Sequence, residues 1–333
     1  MTKLTLSTSA LCAALLAFTA MPAEAQDELG LAHFMPPAHT LHTEVFVPLQ
    51  DKIAKATDGK IALRIYPAGE LGAGPNQQYD RALRGVADMV FGLPGYTSST
   101  FPRTLLLELP GALPDAQEAV DMIWDNIDQF APDFERVELL GLWTATPTLI
   151  ATRGKPVRSL KDLEGMTIRA PSVLGAEFLA EWGANPVNIP ASDLYTSLET
   201  GVIDGVMTGP DGIRSFRLYE VLDYITRDFP GGVSTFYVIA NKDQWAALPE
   251  EQRAELEALF GRTISADGQA AYRWAADEAY KLFDTVDGLE VITLDEGEAG
   301  RIIEAIEPQI AAYKSQLKKS GIDAEAILSA LEE

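Results

Sequence analysis

Apolar and polar positions along the chain switch between two periods, and the switches predict the elements. Between Thr43 and Thr57, residues Phe46, Leu49, Ile53 and Ala56 recur every three or four positions, one face of a helix that Asp58-Gly59 ends. Ile61, Leu63 and Ile65 then occupy alternate positions, a strand closed by Pro67 and Gly69. Gln77 to Arg84 reads as a helix stopped by Gly85, and Met89-Val90-Phe91 as a buried strand. Pro114 to Asn126 is helical again, and Leu139 to Thr144 is strand-like.

The alternation continues. Ser159 to Asp162 has the form of a capped turn, Met166 to Arg169 of a short strand, Leu174 to Trp182 of a helix, and Pro186 to Ile189 of a strand. Ser192 is expected to cap a helix from Asp193 to Thr200, which Gly201 ends. Val202-Ile203 opens the next predicted strand, Ile213 to Val221 a helix, and Phe236 to Ala240 an apolar strand. Beyond Pro249 the pattern is helical except for a strand at Leu289 to Thr293. Such alternation predicts an α/β protein with mainly parallel sheets covered on both faces, which bind ligands beyond the carboxyl ends of their strands. Two such sheets facing each other make a cleft. No long polar linker separates them, so short strands crossing between discontinuous domains are expected.

The N-terminus stands apart. Lys3, the apolar run Ala10 to Ala20, and Pro22-Ala23-Glu24-Ala25 have the form of a signal peptide, residues 1–25, cleaved after Ala25. The run is shorter than the roughly 18 residues a membrane-spanning helix needs. Cys12 lacks the Leu three places earlier that a lipoprotein site carries, and more apolar sequence follows it. It is also the only cysteine, so the exported chain folds without disulfides, as suits a bacterial periplasm. With 26 Lys+Arg against 49 Asp+Glu, the net charge of −23 repels phosphate backbones and anionic lipid surfaces. A nucleic-acid partner is therefore not expected.

The chemistry of enzymes is absent as motif. There is no G-x-S-x-G, H-E-x-x-H, P-loop or calcium-loop pattern, and the turn around Gly69, Gly72 and Gly74 is not a dinucleotide fingerprint. His33, His39 and His42 cluster, but two histidines three apart with no third ligand do not define a metal site, so no metal or cofactor is expected. His39 is instead expected to cap a helix or line the cleft. Arg169 ends its strand ahead of Ala170-Pro171-Ser172, where a guanidinium can hold a carboxylate by two parallel bonds. A salt bridge between elements remains the other account of it.

Several segments, in order, resemble the periplasmic solute-binding subunits of tripartite ATP-independent periplasmic (TRAP) transporters, the DctP family. Asp58-Gly59-Lys60-Ile61 to Tyr66-Pro67 with Gly69-Glu70-Leu71-Gly72 looks like the family's opening strand and turn. Leu163 to Arg169 looks like its signature strand with the ligand-binding arginine, and Tyr195 to Leu198 with Gly201-Val202-Ile203-Asp204-Gly205 is similar to its most recognisable motif. Tyr219-Glu220-Val221 and Pro249-Glu250 to Arg253 follow in place, so the likeness spans roughly Leu31 to Leu328.

The resemblance implies a two-domain periplasmic binding protein fold with a cleft and a long connecting helix. Residues 26–147 plus 234–275 would form one domain, and 148–233 plus 276–333 the other. It implies an organic-acid ligand paired with Arg169 and release to small and large membrane permease components; the sequence leaves the oligomeric state open, with a monomer favoured. Aligned pocket positions are Leu93, Leu149, Ala191 and Thr208, and Phe34, His39, Tyr96 and Phe236 are further candidate ligand contacts. Leu149 stands where sugar-acid binders carry a second arginine, Leu93 where a pocket acid falls, Ala191 where an aromatic wall residue falls, and Thr208 where an asparagine falls. These departures favour a mono-, keto- or hydroxy-acid with an apolar or aromatic remainder, walled by Phe91, Tyr96, Trp143 and Phe236. A C4-dicarboxylate, a binding protein of an ATP-driven transporter and a secreted α/β hydrolase are the alternatives.

The exported protein is expected to begin at Gln26 or a neighbouring residue and to carry no lipid. Intact-mass spectrometry checks this, and a mature form retaining Cys12 would contradict it.

Overall fold

The computed structural model describes residues 27–72, 74–113 and 117–332. The signal-peptide reading, the cleavage site and Cys12 lie outside them. Eleven strands form in chain order: β1 (Asp27–Ala32), β2 (Ile61–Tyr66), β3 (Met89–Gly92), β4 (Glu138–Thr144), β5 (Leu149–Thr152), β6 (Thr167–Arg169), β7 (Asn185–Val187), β8 (Gly205–Thr208), β9 (Tyr224–Arg227), β10 (Thr235–Ala240) and β11 (Glu290–Thr293). They make two sheets, ordered β2-β1-β3-β10-β4 and β11-β9-β5-β8-β6-β7. Helices cover both, giving the two-domain α/β architecture.

The sheets are mixed, not mainly parallel as the alternation predicts. β10 runs antiparallel to both β3 and β4, and β5 runs antiparallel to both β8 and β9. The cause is the crossing between sheets. The chain passes from β4 into β5 through 145–148 and returns from β9 into β10 through 228–234, so each sheet receives a strand of opposite direction. The Ala145 amide donates to the Ser234 carbonyl at 2.9 Å and the Thr148 amide to the Gly232 carbonyl at 2.9 Å, so the two crossings run as a bonded pair.

Most predicted elements form within a residue or two. The first helix opens with a π turn at His42–Phe46 and continues as Val47–Ala56. The Ser159 turn carries a complete capping box with Asp162, whose carboxylate serves although Glu is the commoner partner. Three expectations fail. Ser192 does not cap: the chain enters Leu194–Glu199 through a 3-10 turn at Ala191–Asp193, and the Ser192 hydroxyl donates to Asp193 at 3.0 Å. Val202-Ile203 is a turn after left-handed Gly201, with Val202 exposed, and the strand starts at Gly205. The helix expected over Ile213 to Val221 ends at Ser215, because Arg217 adopts φ 57°. The pattern also gives no sign of β5, β9 or β1. β5 is four consecutive buried residues, too short and too uniform to show a period.

A 22-residue helix, Arg262–Phe283, runs about 33 Å and joins the two bodies. Its first half packs Ile264, Ala271 and Tyr272 into the core of the first sheet, while Ala279 and Phe283 enter that of the second. The close approach needs Gly268: a Cβ there would lie 2.5 Å from Trp143 Cε2. The C-terminal helix Glu296–Lys319 also bridges, accepting a bond from Trp182 Nε1 at Ile302 (2.9 Å) and donating from the Tyr313 hydroxyl to the Pro102 carbonyl (2.7 Å).

Gly268→Ala is expected to destabilise the protein by about 1–3 kcal/mol through overpacking against Trp143. In a relaxed helix interior the same change stabilises by about 1 kcal/mol, so the sign separates the two effects. Chemical denaturation followed by tryptophan fluorescence reads it; a gain in stability would mean the helix lifts off Trp143 freely.

Candidate functional site

The carboxyl ends of β3, β6 and β8 point to one pocket between the sheets, with a cavity volume of about 50 Å³. Of the positions read from the sequence, Phe34, His39, Leu93, Tyr96 and Phe236 reach it from the first-sheet side, and Arg169, Ala191 and Thr208 from the second. Leu149 does not. Its side chain lies in the second-sheet core with Ala151, Val206 and Ile225, because its place in β5 turns it away from the cleft.

Arg169 is buried, 2% exposed, at the last position of β6. Nε donates to the Ile189 carbonyl at 2.9 Å and Nη2 to the Tyr96 hydroxyl oxygen at 3.1 Å. Tyr96 follows β3 on the opposite side of the cleft, and its oxygen also accepts from the Ala191 amide at 3.2 Å. Burial pulls the guanidinium below its usual range, yet arginine keeps its charge in proteins. Among the described residues no carboxylate lies within 4.0 Å of it. The salt-bridge account of Arg169 therefore fails. A buried cation without a counter-ion is expensive, by several kcal/mol, unless an anion joins it.

The wall facing it is aromatic. Phe236 stacks on Phe91 with ring centroids 5.5 Å apart and planes 10° apart, and Trp143 lies behind at 6.3 Å. Phe91 and Trp143 are thus the backing of the wall rather than its surface. Phe34 meets Tyr96 edge-on at 6.0 Å, and His39 meets Phe216 and Tyr272 edge-on at 5.5 and 6.2 Å. His39 Nδ1 accepts from the Leu41 amide at 3.2 Å. Burial, reinforced by His33 and His42, pulls His39 down to about 3, so the ring is neutral at physiological pH. His33 is likewise held at about 3, mainly by burial, and shares a 2.9 Å contact with His42. Among the described residues no group of three or more His, Cys, Asp or Glu side chains is arranged to hold a metal.

Two buried acids escaped the sequence reading. Asp211 lines the pocket from the first turn of the helix Pro210–Ser215, and burial pushes its carboxyl up to about 7. Glu108 lies outside the pocket lining. Burial raises it to about 7, against the lowering effect of bonds from the Ser172 hydroxyl and the Thr235 amide. Both left a trace in the chain: an acid inside Gly209-Pro210-Asp211-Gly212, and a lone acid in the run Leu105 to Leu109. A larger depression of about 440 Å³ beside the crossing segments, lined by Leu107, Pro147, Phe229 and Ile303 among others, has no charged lining residue among the described residues.

Comparison with known proteins matches this geometry. The model for "Bacterial extracellular solute-binding protein, family 7", DctP, matches residues 31–316. A TRAP solute-binding protein from Bordetella bronchiseptica, solved with (R)- and (S)-mandelate, is 28% identical with a TM-score of 0.82, covering 91% of this chain and 97% of that one. One from a marine metagenome, specific for aromatic acid ligands and solved with metahydroxyphenylacetate, is 26% identical with a TM-score of 0.86, covering 92% and 97%. The ectoine-binding periplasmic protein TeaA of Halomonas elongata is 28% identical over 64% of this chain and 65% of its own.

Glu108 makes the protein's stability depend on pH in a fixed direction. Its folded pKa, about 7, exceeds the 4.5 of a solvated glutamate, so between these values the folded state holds a proton the unfolded state has lost. Stability from this group is complete below about pH 4.5 and declines as pH rises toward 7, by at most about 1.4 kcal/mol per pH unit. Glu108→Gln is expected to lose that decline, so its melting temperature should gain on wild type between pH 5 and 7.5. Parallel melting curves over that range would contradict it.

Proposed function

Because the chain belongs to the DctP family of bacterial extracellular solute-binding proteins, family 7, we propose that it captures a small organic monocarboxylate outside the cytoplasm through Arg169 and delivers it to a TRAP permease. The observation that carries this is the buried guanidinium with no counter-ion, facing an aromatic wall. A ligand carboxylate supplies the missing charge, and the fork of Arg169 suits its two oxygens. The rest of the ligand lies against Phe236 and Phe34, where a flat ring gains most from stacking. The named structural relatives hold aromatic or arylaliphatic acids, which supports the same class here.

Binding closes the cleft about the paired crossings, with residues 26–147 plus 234–275 moving against 148–233 plus 276–333. The Tyr96–Arg169 bond and the tight approach of Gly95 to Ser172 are contacts that closure makes. Membership of a family of solute-binding proteins removes the hydrolase and the ATP-driven alternatives. A C4-dicarboxylate would need a second cation, and Leu149 is an apolar core residue outside the pocket. The working unit is an exported monomer, released from its signal peptide near Ala25, with small and large permease subunits as partners.

Calorimetry with benzoate, mandelate, an aliphatic 2-keto acid, succinate and a sugar acid tests the reading. A monocarboxylate is expected to bind best. Arg169→Ala should then cost roughly 2–5 kcal/mol, about 30-fold or more, without loss of folding. Arg169→Lys should recover only part, having lost the planar fork. Undiminished affinity in a folded Arg169→Ala protein, or micromolar binding of succinate or the sugar acid alone, would overturn it.

A further inference from the structure

We infer that Asp211 is a specificity-determining residue that accepts a hydrogen bond from a hydroxyl carried by the ligand away from its carboxylate. The inference rests on the carboxylate-clamp reading and adds the second polar group of the ligand. Asp211 lines the same pocket as Arg169, is 5% exposed, and lies beyond ion-pair distance of it. Its protein partners are weak: its own backbone amide and the Thr146 hydroxyl at 3.4 Å, at the long limit for such a bond. Among the described residues it makes no salt bridge, and none of its atoms is sealed away from space without a partner. A weakly held carboxyl group thus lines the pocket.

The backbone is shaped for this. A Cβ at Gly209 would overlap Asp211 Oδ1, so glycine there lets the carboxyl fold back beside the strand end. The Tyr272 hydroxyl reaches the same pocket with no protein hydrogen-bond partner among the described residues, and it too is absent from the sealed atoms. A ligand carboxylate is disfavoured at Asp211 by like charge whenever Asp211 is ionised. An uncharged donor is not. With its carboxyl raised to about 7, Asp211 is divided between acid and carboxylate at neutral pH, and both forms accept from an O–H group. An ammonium group, in contrast, would demand the ionised form. A ring hydroxyl on an aromatic or arylaliphatic acid meets all these conditions: carboxylate on Arg169, ring on the Phe236 wall, hydroxyl at Asp211.

The test compares benzoate, 3- and 4-hydroxybenzoate and 3-(aminomethyl)benzoate, measured by calorimetry on the wild type, Asp211→Ala, Asp211→Asn and Arg169→Ala. The wild type is expected to bind one hydroxybenzoate about tenfold or more tighter than benzoate, the worth of one well-made hydrogen bond. Asp211→Ala should bring the two within about twofold while keeping benzoate affinity near wild type, which also reports an intact fold. Asp211→Asn, which retains a carbonyl acceptor, should keep part of the preference. Equal loss of benzoate and hydroxybenzoates in both Asp211 variants would make Asp211 structural and overturn the inference. No hydroxyl preference in the wild type, or a stronger preference for the ammonium arm, would overturn it as well. If these acids bind and Arg169→Ala abolishes them all, the clamp stands whatever Asp211 does. If none binds the wild type while the aliphatic 2-keto acid does, the clamp stands and the hydroxyl inference falls.

Discussion

A guanidinium taken out of water and given no carboxylate is the constraint around which this molecule is arranged. Arg169 is held by the carbonyl of Ile189 and the hydroxyl of Tyr96, partial charges that orient it without neutralising it. Desolvating an ion of this size costs several kcal/mol after relaxation. The fold tolerates that cost because the three-residue β6 is locked between β7 and β8 and the adjoining core residue Ile168 is fully buried. Tyr96 reaches the cation from the opposite sheet, so the buried charge is also a point where the two halves meet.

The aromatic wall owes its shape to packing well behind the pocket. Phe236 is set by the face-to-face stack with Phe91, and Trp143 supports both. Trp143 in turn is pressed by the long helix at Gly268, the position where a side chain would not fit. Because the same helix reaches the core of the second sheet, the wall is coupled to the element that spans both halves. The ion pairs of the surface contribute little by comparison. Lys52–Asp267 and Arg158–Glu290 are solvent-exposed at both ends, where such pairs are worth about 0–1 kcal/mol.

The acidic excess of the chain and the acids of its interior follow different rules. Net charge concerns solvated side chains and says nothing of the pocket. Asp211 and Glu108 are raised toward neutrality by burial, so neither carries a full negative charge at neutral pH. Neutral His39 adds a polar edge to the pocket without adding charge.

The chain itself determined the alternating elements, the stop signals at Gly85 and Gly201, the capping box at Ser159, and the arginine at a strand end, because each depends on neighbours within a few residues. Family motifs and residues near strand ends then named nine positions, eight of which line one pocket. What they could not carry depended on distant parts of the chain. Leu149 sits at an aligned position yet faces a core, since strand register in a mixed sheet decides which way it turns. The crossings reversed β5 and β10, which no local period records. Asp211 and Glu108 look in sequence like two acids among many. Only the tertiary structure removed them from water, and burial, a property of everything packed around a group, is what separates a working carboxyl from a solvated one.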